Sequence, residues 1–99
     1  IKLIKKEQKI LAVPSASDTL DRWQVKTDSG IYSCEGLALE KYLDQTVTAY
    51  IYQDQLLMAV PADHQQAQQH ADTQYQRIYE TAFLIHKGRR SPLRIIFSE

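Results

Sequence analysis

The sequence is poor in the residues that build disulfide frameworks and phosphate-binding loops. Its 99 residues include one cysteine and three glycines. The single Cys34 excludes an intramolecular disulfide and a multi-cysteine zinc site, and a lone thiol is compatible with a location inside or outside the cytosol. Gly30, Gly36 and Gly88 are too far apart to form a glycine-rich phosphate loop. These absences remove several classes of site and leave the compartment unknown.

Long hydrophobic runs are also lacking. No apolar run approaches the ~20 residues that a membrane helix needs, and residues 1–10 lack the apolar centre of a signal peptide, so we expect a soluble chain. Hydrophobic residues make up 43% and charged residues 24% of a chain whose length suits one small domain, 1–99. Because the chain begins at Ile1 and not at a methionine, we expect it to be excised or processed from a longer protein.

The chain has no excess of either charge, but its charges are unevenly placed. Twelve basic side chains balance twelve acidic ones. Residues 1–9 carry four lysines against one glutamate, and residues 86–94 carry one lysine and three arginines with no acid. If the two ends meet, they would form a patch that attracts phosphate or an anionic membrane surface. Solvated charge with gatekeeper lysines beside an apolar strand is the favoured interpretation.

The first two thirds of the chain read as strands joined by turns. Residues 8–13 predict a first strand that Pro14 ends. Asp28, Ser29 and Gly30 predict the turn of a hairpin, with Gly30 able to take positive φ. The predicted elements are a first hairpin with strands 23–27 and 31–34, a short helix at 37–43, and a second hairpin with strands 46–53 and 56–60 stopped by Pro61.

The last third predicts a long helix from residue 63 or 64 to 87. Asp63 and Gln66 have the form of a capping pair, and Gly88 suits the position after a helix end. An apolar stripe at helical spacing contains Ala67, Ala71, Tyr75, Ile78, Ala82 and Ile85. The first half of this stripe contains only alanines, so we expect Tyr75, Ile78 and Ile85 to anchor the helix to the rest of the domain. The alternative pairs 81–86 with 92–97 in a hairpin, and in either case 93–97 predicts a final strand.

The element order defines the expected fold class. We expect a mainly β small barrel, or an α+β domain, with five strands, a short helix between strands three and four, and a C-terminal helix followed by a final strand. This order resembles that of an OB-fold barrel, which is a five-stranded Greek-key barrel. The resemblance covers the order of elements only, because other small barrels share it.

Catalytic and metal motifs are not evident. His64 and His70 are six residues apart and so lie on different sides of a helix, whereas helical zinc-binding pairs are four apart. Cys34 lies in a predicted strand beside Glu35, which favours a buried, unreactive thiol. There is no G-x-S-x-G elbow. We therefore expect a protein that is not an enzyme and that has no cofactor and no metal ion.

Aromatic and basic residues give the candidate binding surfaces. In residues 46–60, Val47, Ala49 and Ile51 alternate with Tyr50 and Tyr52, so the tyrosines lie opposite the small aliphatic face. They would form a ligand platform if exposed, or a second small core if the predicted helix covers them, and the covered arrangement is preferred. Trp23 shares the parity of Val25, which favours the core. The candidate ligand-binding residues are Trp23, Tyr50, Tyr52, Arg89, Arg90 and Arg94.

Three functional hypotheses follow. The first is a binding or assembly module of a larger bacterial-type protein or complex, with a protein partner or self-association through helix docking or strand addition at 93–97. The second is binding of single-stranded nucleic acid or oligosaccharide through Tyr50 and Tyr52, which neutral net charge disfavours. The third is a membrane-proximal domain, in which residues 2–6 flank a removed helix.

Overall fold

The computed structural model describes residues 1–17, 19–34 and 39–88, which form a small α+β domain with mainly sheet structure. Five strands form a closed ring in the order β1-β2-β3-β5-β4, and one long helix packs outside it. The elements are β1 (Ile4–Ala12), β2 (Gln24–Thr27), β3 (Gly30–Ser33), β4 (Thr46–Tyr52), β5 (Gln55–Pro61) and α1 (Gln65–His86), with 3₁₀ turns at Pro14–Ala16 and Glu40–Tyr42.

Strand β1 holds the ring together because it pairs with two different strands. Its first part is antiparallel to β4, from Ile4 opposite Ile51 to Lys9 opposite Thr46. Its last part pairs with β2, where Ile10 lies opposite Thr27. The sequence predicted a strand at 8–13, but β1 begins at Ile4. The lysines of the first part do not prevent pairing, because they stay exposed while the backbone bonds to β4.

Both predicted hairpins are confirmed. In the first, Thr27 lies opposite Gly30, whose φ of +143° is a backbone conformation that glycine adopts readily. In the second, β4 and β5 are antiparallel around a two-residue turn in which Gln53 has φ of +55°. The ring closes where β3 meets β5 in parallel, with Ser33 opposite Gln55. The fold therefore follows local turn signals at each hairpin and long-range pairing at β1 and β3.

The segment between β3 and β4 is less helical than predicted where it is described. Residues 37 and 38 of the predicted 37–43 helix lie outside the described residues. The rest is a single 3₁₀ turn at Glu40–Tyr42. Leu39 and Tyr42 are both buried, as expected for residues three apart in a 3₁₀ turn, which eclipse one another.

Helix α1 confirms the long-helix prediction and corrects its start. The helix runs through 81–86, so the alternative strand there is wrong. The N-cap is His64, not Asp63: the Ala67 amide donates to His64 Nδ1 at 3.1 Å. Gly88 follows the helix end with φ of +76°, as expected. The predicted final strand at 93–97 lies outside the described residues.

The buried residues form two hydrophobic cores on opposite faces of the sheet. The ring core fills the interior and includes Ile10, Val25, Val47, Ala49, Ile51 and Leu56. The helix core lies between the outer face of β4-β5 and α1, and contains Tyr50, Met58, Val60, Ala67, Ala71 and Ile78. Strand β4 supplies residues to both cores by the alternation of its side chains.

The anchoring of α1 differs from the prediction. Tyr75 is 46% exposed, whereas Ala67 and Ala71 are fully buried. Alanine is the smallest apolar side chain, so it lets the first half of the helix approach the sheet closely. Gln68 adds polar contacts there, since its Nε2 donates to Thr48 Oγ1 at 3.1 Å and to the Pro61 carbonyl at 2.8 Å. The alanine-rich and glutamine-rich half is therefore attached to the sheet.

Candidate binding surface

The strand tyrosines lie beneath α1. Tyr50 is 1% exposed and belongs to the helix core. Tyr52 is 5% exposed, and its hydroxyl forms a 2.8 Å hydrogen bond with His86 Nδ1 near the end of α1. The covered arrangement preferred from sequence is confirmed, and with α1 in place neither ring offers a face to a ligand. Arg89, Arg90 and Arg94 lie outside the described residues.

Trp23 is exposed, so the prediction that it belongs to the core is wrong. Its exposed fraction is 43%. Strand β2 begins at Gln24, so Trp23 lies in the preceding turn, where the alternation used for the prediction does not yet apply. The Trp23 carbonyl accepts a 2.8 Å hydrogen bond from the Cys34 amide, which ties this turn to the end of β3.

The turn that carries Trp23 is internally braced. The Asp21 amide donates to Gln24 Oε1 at 3.1 Å, and the Gln24 amide donates to the Asp21 carbonyl at 3.0 Å. The Arg22 guanidinium carbon lies 4.5 Å from the centre of the Trp23 ring, within the range of a cation–π contact. These hydrogen bonds therefore restrain the backbone that carries Trp23, and the Arg22 cation lies against one face of its indole ring.

Two more exposed apolar side chains lie on the strands beside Trp23. Ile31 is 53% exposed and lies directly opposite Lys26, which is itself exposed between the buried Val25 and Thr27. Leu11 is 41% exposed and precedes Ala12, which pairs with Lys26 from the other side. Lys26 and Ile31 therefore face outward together, and Leu11 lies beside them at an irregularity where the β1–β2 register shifts between Ile10 and Ala12. We call Leu11, Arg22, Trp23, Lys26 and Ile31 together the hairpin surface.

The turn between β4 and β5 lies at the same end of the ring as Trp23. The Ser33 amide donates to the Asp54 carbonyl at 2.8 Å, and Ser33 lies opposite Gln55. Since Cys34 follows Ser33 and bonds to Trp23, the connection before β2 and the turn after β4 converge on the end of β3. The hairpin surface is therefore bordered by two connecting segments as well as by strands.

The thiol closest to this surface is inert in the folded protein. Cys34 is buried. Burial and, to a smaller extent, the negative charge of Glu40 together raise the pKa of the thiol from 9.0 to about 11. The sequence predicted this direction from Glu35, which lies outside the described residues. Because the nucleophile is the thiolate, Cys34 is a structural residue at neutral pH.

The domain also has an open cleft, which shares no residue with the hairpin surface. This open cleft of about 520 Å³ is lined by Glu7, Gln45, Thr46, Ala62 and Asp63. Small-molecule sites are usually enclosed and lined mostly by apolar and aromatic side chains. The cleft lacks that character, whereas the hairpin surface combines a tryptophan, two aliphatic side chains and two cations.

Sequence reasoning selected Trp23 but missed Leu11 and Ile31. A signal for Ile31 was present, because it alternates with Tyr32 and so belongs to the face opposite the buried Val25. Leu11 was hidden within an aliphatic run in which every residue looked like core. What distinguishes Leu11 from the fully buried Ile10 is its position next to Ala12, which pairs with the exposed Lys26.

The described part of the chain contains neither a metal-binding cluster nor a membrane-spanning helix. Among residues 1–17, 19–34 and 39–88, no three His, Cys, Asp or Glu side chains are grouped so that they would hold a metal ion. Within these ranges no helix is long and apolar enough to cross a membrane. Comparison of the chain with protein-family models, curated proteins and solved structures gave no match.

Proposed function

We propose that the chain is a non-enzymatic binding module that takes a protein partner on its hairpin surface, and that its ring is an OB-like barrel. The strand order supports the fold proposal. Strands β1, β2 and β3 are neighbours in sequence order, and β4 returns to lie beside β1, which is the Greek-key arrangement. The fifth strand then joins β4 to β3 and closes the ring.

One observation supports the functional proposal above the others. Leu11 on β1, Ile31 on β3 and Trp23 in the turn before β2 are each more than 40% exposed, although the domain has two closed cores elsewhere. Contiguous exposed apolar surface is a mark of interaction sites. Tryptophan and arginine are also the residues most often found at the energetic centre of protein interfaces, and here they are in contact.

The charges around the surface favour a protein over a polyanion. Arg22 and Lys26 are accompanied by exposed Asp21 and Asp28, so the surface has mixed sign. Asp28 is held in place, because its Oδ1 accepts a 3.0 Å hydrogen bond from the Lys9 amide. Nucleic-acid affinity depends on an excess of cationic contacts with phosphate, whereas a protein partner can match mixed charges at the rim of an apolar centre.

The test is capture of partners by the immobilised full chain from an extract of the source organism. Ile31→Ser and Trp23→Ala should each reduce recovery of a specific partner at least tenfold, because truncating a residue at the energetic centre of an interface costs about 2 kcal/mol or more. Tyr79→Ser, at an exposed aromatic on α1, is the matched control and should retain the partner. Equal recovery by all three variants would refute the proposed site.

The exposure of Trp23 supports a second candidate function. The face of strands two and three and the adjoining loops bind single strands or oligosaccharides in OB folds, and Trp23, with Arg22 against its ring, immediately precedes β2 in this chain. An indole stacks on bases and sugars, and a neighbouring arginine pairs with phosphate. This candidate rests on Trp23, since Tyr50 and Tyr52 are covered by α1.

Trp23 is the only tryptophan, so its fluorescence reports directly on this candidate. Titration with single-stranded oligonucleotides and with oligosaccharides should quench or shift the emission if they stack on the ring. Oligonucleotide binding should also weaken steeply between low and physiological salt. Unchanged emission at low salt would eliminate the candidate and leave the protein-partner proposal intact.

A further inference from the structure

Helix α1 carries a second exposed aromatic surface, which belongs to neither core of the described residues. Tyr75, Tyr79 and Phe83 are 46%, 37% and 45% exposed. They are spaced four residues apart and so lie along one side of the helix. The helix is held to the ring by other residues, namely the buried Ala67, Ala71, Ile78, Thr81 and Ala82. We call Tyr75, Tyr79 and Phe83 the aromatic stripe.

We propose that the aromatic stripe is a self-association site, on which a second copy of this chain docks its own α1 in antiparallel orientation. The two-fold axis would pass near Tyr79, so that Tyr75 of each copy approaches Phe83 of the other. This pairing is independent of the hairpin surface, which lies on β1, β2 and β3.

The charges at the two ends of the aromatic stripe favour a second copy of this chain as the partner that docks there. Asp72 lies one turn before Tyr75, and Lys87 lies one turn after Phe83; both are exposed. The Lys87 ammonium is 5.4 Å from the centre of the Phe83 ring, so it already lies over the stripe. With Tyr79 at the centre, antiparallel pairing brings Asp72 of one copy close to Lys87 of the other, twice per dimer. Parallel pairing would instead oppose like charges.

The size of the surface sets the strength of the association. A tyrosine or phenylalanine buries about 150–250 Å² when fully covered, and less than half of each ring is exposed here. The stripe and its flanking residues therefore contribute an interface at or below the lower end of the ~1,200–2,000 Å² found in stable complexes. The expected dimer is weak and reversible, and its population rises with protein concentration.

The first test measures mass against concentration for the full chain by analytical ultracentrifugation. The average mass should rise from the 11.4 kDa protomer toward twice that value. Asp72→Lys or Lys87→Glu alone should raise the dissociation constant roughly tenfold, since each places like charges at both ends of the dimer. The double variant Asp72→Lys with Lys87→Glu should return it to within about twofold of the original.

The second test uses the symmetry of the contact. In a Cys34→Ala background, Tyr79→Cys places a thiol near the two-fold axis, and mild oxidation should yield a disulfide-linked dimer. Arg77→Cys is the control, because a residue two positions away lies on the other side of the helix and is also exposed. A monomer at every concentration, equal cross-linking of both variants, or failure of the double charge swap would overturn the inference. Trp23→Ala should leave the dimer unchanged, which separates this result from the proposed function.

Discussion

The two faces of β4 are buried in different ways. Val47, Ala49 and Ile51 face the interior, where strands from all around the ring enclose them. Tyr50 and Tyr52 face outward, where Tyr50 packs with α1 in the helix core and Tyr52 forms a hydrogen bond with His86 of α1. The inner face is thus closed by backbone pairing as well as by side chains, whereas the outer face depends on side-chain packing and a few hydrogen bonds. Similar burial on the two faces therefore does not imply similar resistance to opening.

This difference bears on the tyrosines. Loss of the ring core would remove the pairing that aligns the strands, and the whole domain would unfold. Loss of the helix core would detach α1 and expose Tyr50 and Tyr52 on a ring that still has its strand pairing. The face that resembled a ligand platform in the sequence is a platform only in that opened state.

The largest expected effect is in the ring core. Ile10→Ala should lower the free energy of unfolding by about 2–5 kcal/mol, because Ile10 is fully buried and its truncation leaves a cavity. Urea denaturation followed by circular dichroism measures this, and strand and helix signals should be lost together. Leu11→Ala, at the exposed neighbouring position, should change stability by less than about 0.5 kcal/mol. Similar losses for both would contradict the assigned register of β1.

Enlarging an alanine under the helix should have a smaller and more local effect. Ala71→Leu adds volume where α1 meets the sheet and should cost about 1–3 kcal/mol. Hydrogen exchange should show faster exchange of α1 amides while β1-β2 amides remain protected. Gln69→Leu, on the exposed side of α1, is the matched control and should leave the exchange pattern unchanged. Uniform loss of protection would mean that the two cores open together.

Substitutions at the hydrogen bond between Tyr52 and His86 test how strongly the C-terminal end of α1 is attached to β4. Tyr52→Phe and His86→Ala should each cost about 0.5–1.5 kcal/mol, since each removes one partner of a 2.8 Å bond. The double variant should cost less than the sum of the two, because both substitutions remove the same contact. Strict additivity in a double-mutant cycle would show that the bond contributes nothing to holding the helix.

The last prediction concerns the pH dependence of stability that arises from Cys34 in the ring core. The pKa of Cys34 is raised from 9.0 to about 11 in the folded protein, so the unfolded chain loses this proton first as pH rises. The stability contribution is therefore fully present below pH 9 and is lost between pH 9 and 11. Subtracting the pH profile of Cys34→Ala isolates this contribution, because that variant lacks the thiol. At pH 8 a thiol reagent should label Cys34 only after unfolding.

The elements closest to local signals were predictable. Gly30 marked the first hairpin turn, and the 3.6-residue period with Gly88 marked the extent of α1, because both depend on neighbouring residues. The start of β1 was not predictable, since Ile4–Gln8 is a strand only because β4 lies beside it. The N-cap was also misassigned, because the sequence favoured Asp63, whereas the Ala67 amide donates its hydrogen bond to His64 Nδ1.

The candidate surfaces divide in the same way. The sequence correctly placed Tyr50 and Tyr52 on one face and favoured their burial, because the predicted helix needed an apolar surface to receive it. It placed Trp23 inside, since alternation was extended one residue beyond the strand. It also assigned anchoring to Tyr75, because large side chains appeared to offer more buried area than alanines.

The sequence by itself determined the hairpins, the helix, the inertness of Cys34 and the two-sided character of β4, because each follows from residue type and short-range spacing. Tertiary structure alone decided the closure of the ring, the close approach of Ala67 and Ala71, and the exposure of Leu11, Trp23 and Ile31. Those features depend on which segments distant in sequence meet. Burial is a property of the assembled chain, so an apolar residue becomes core or binding surface only when its neighbours are in place.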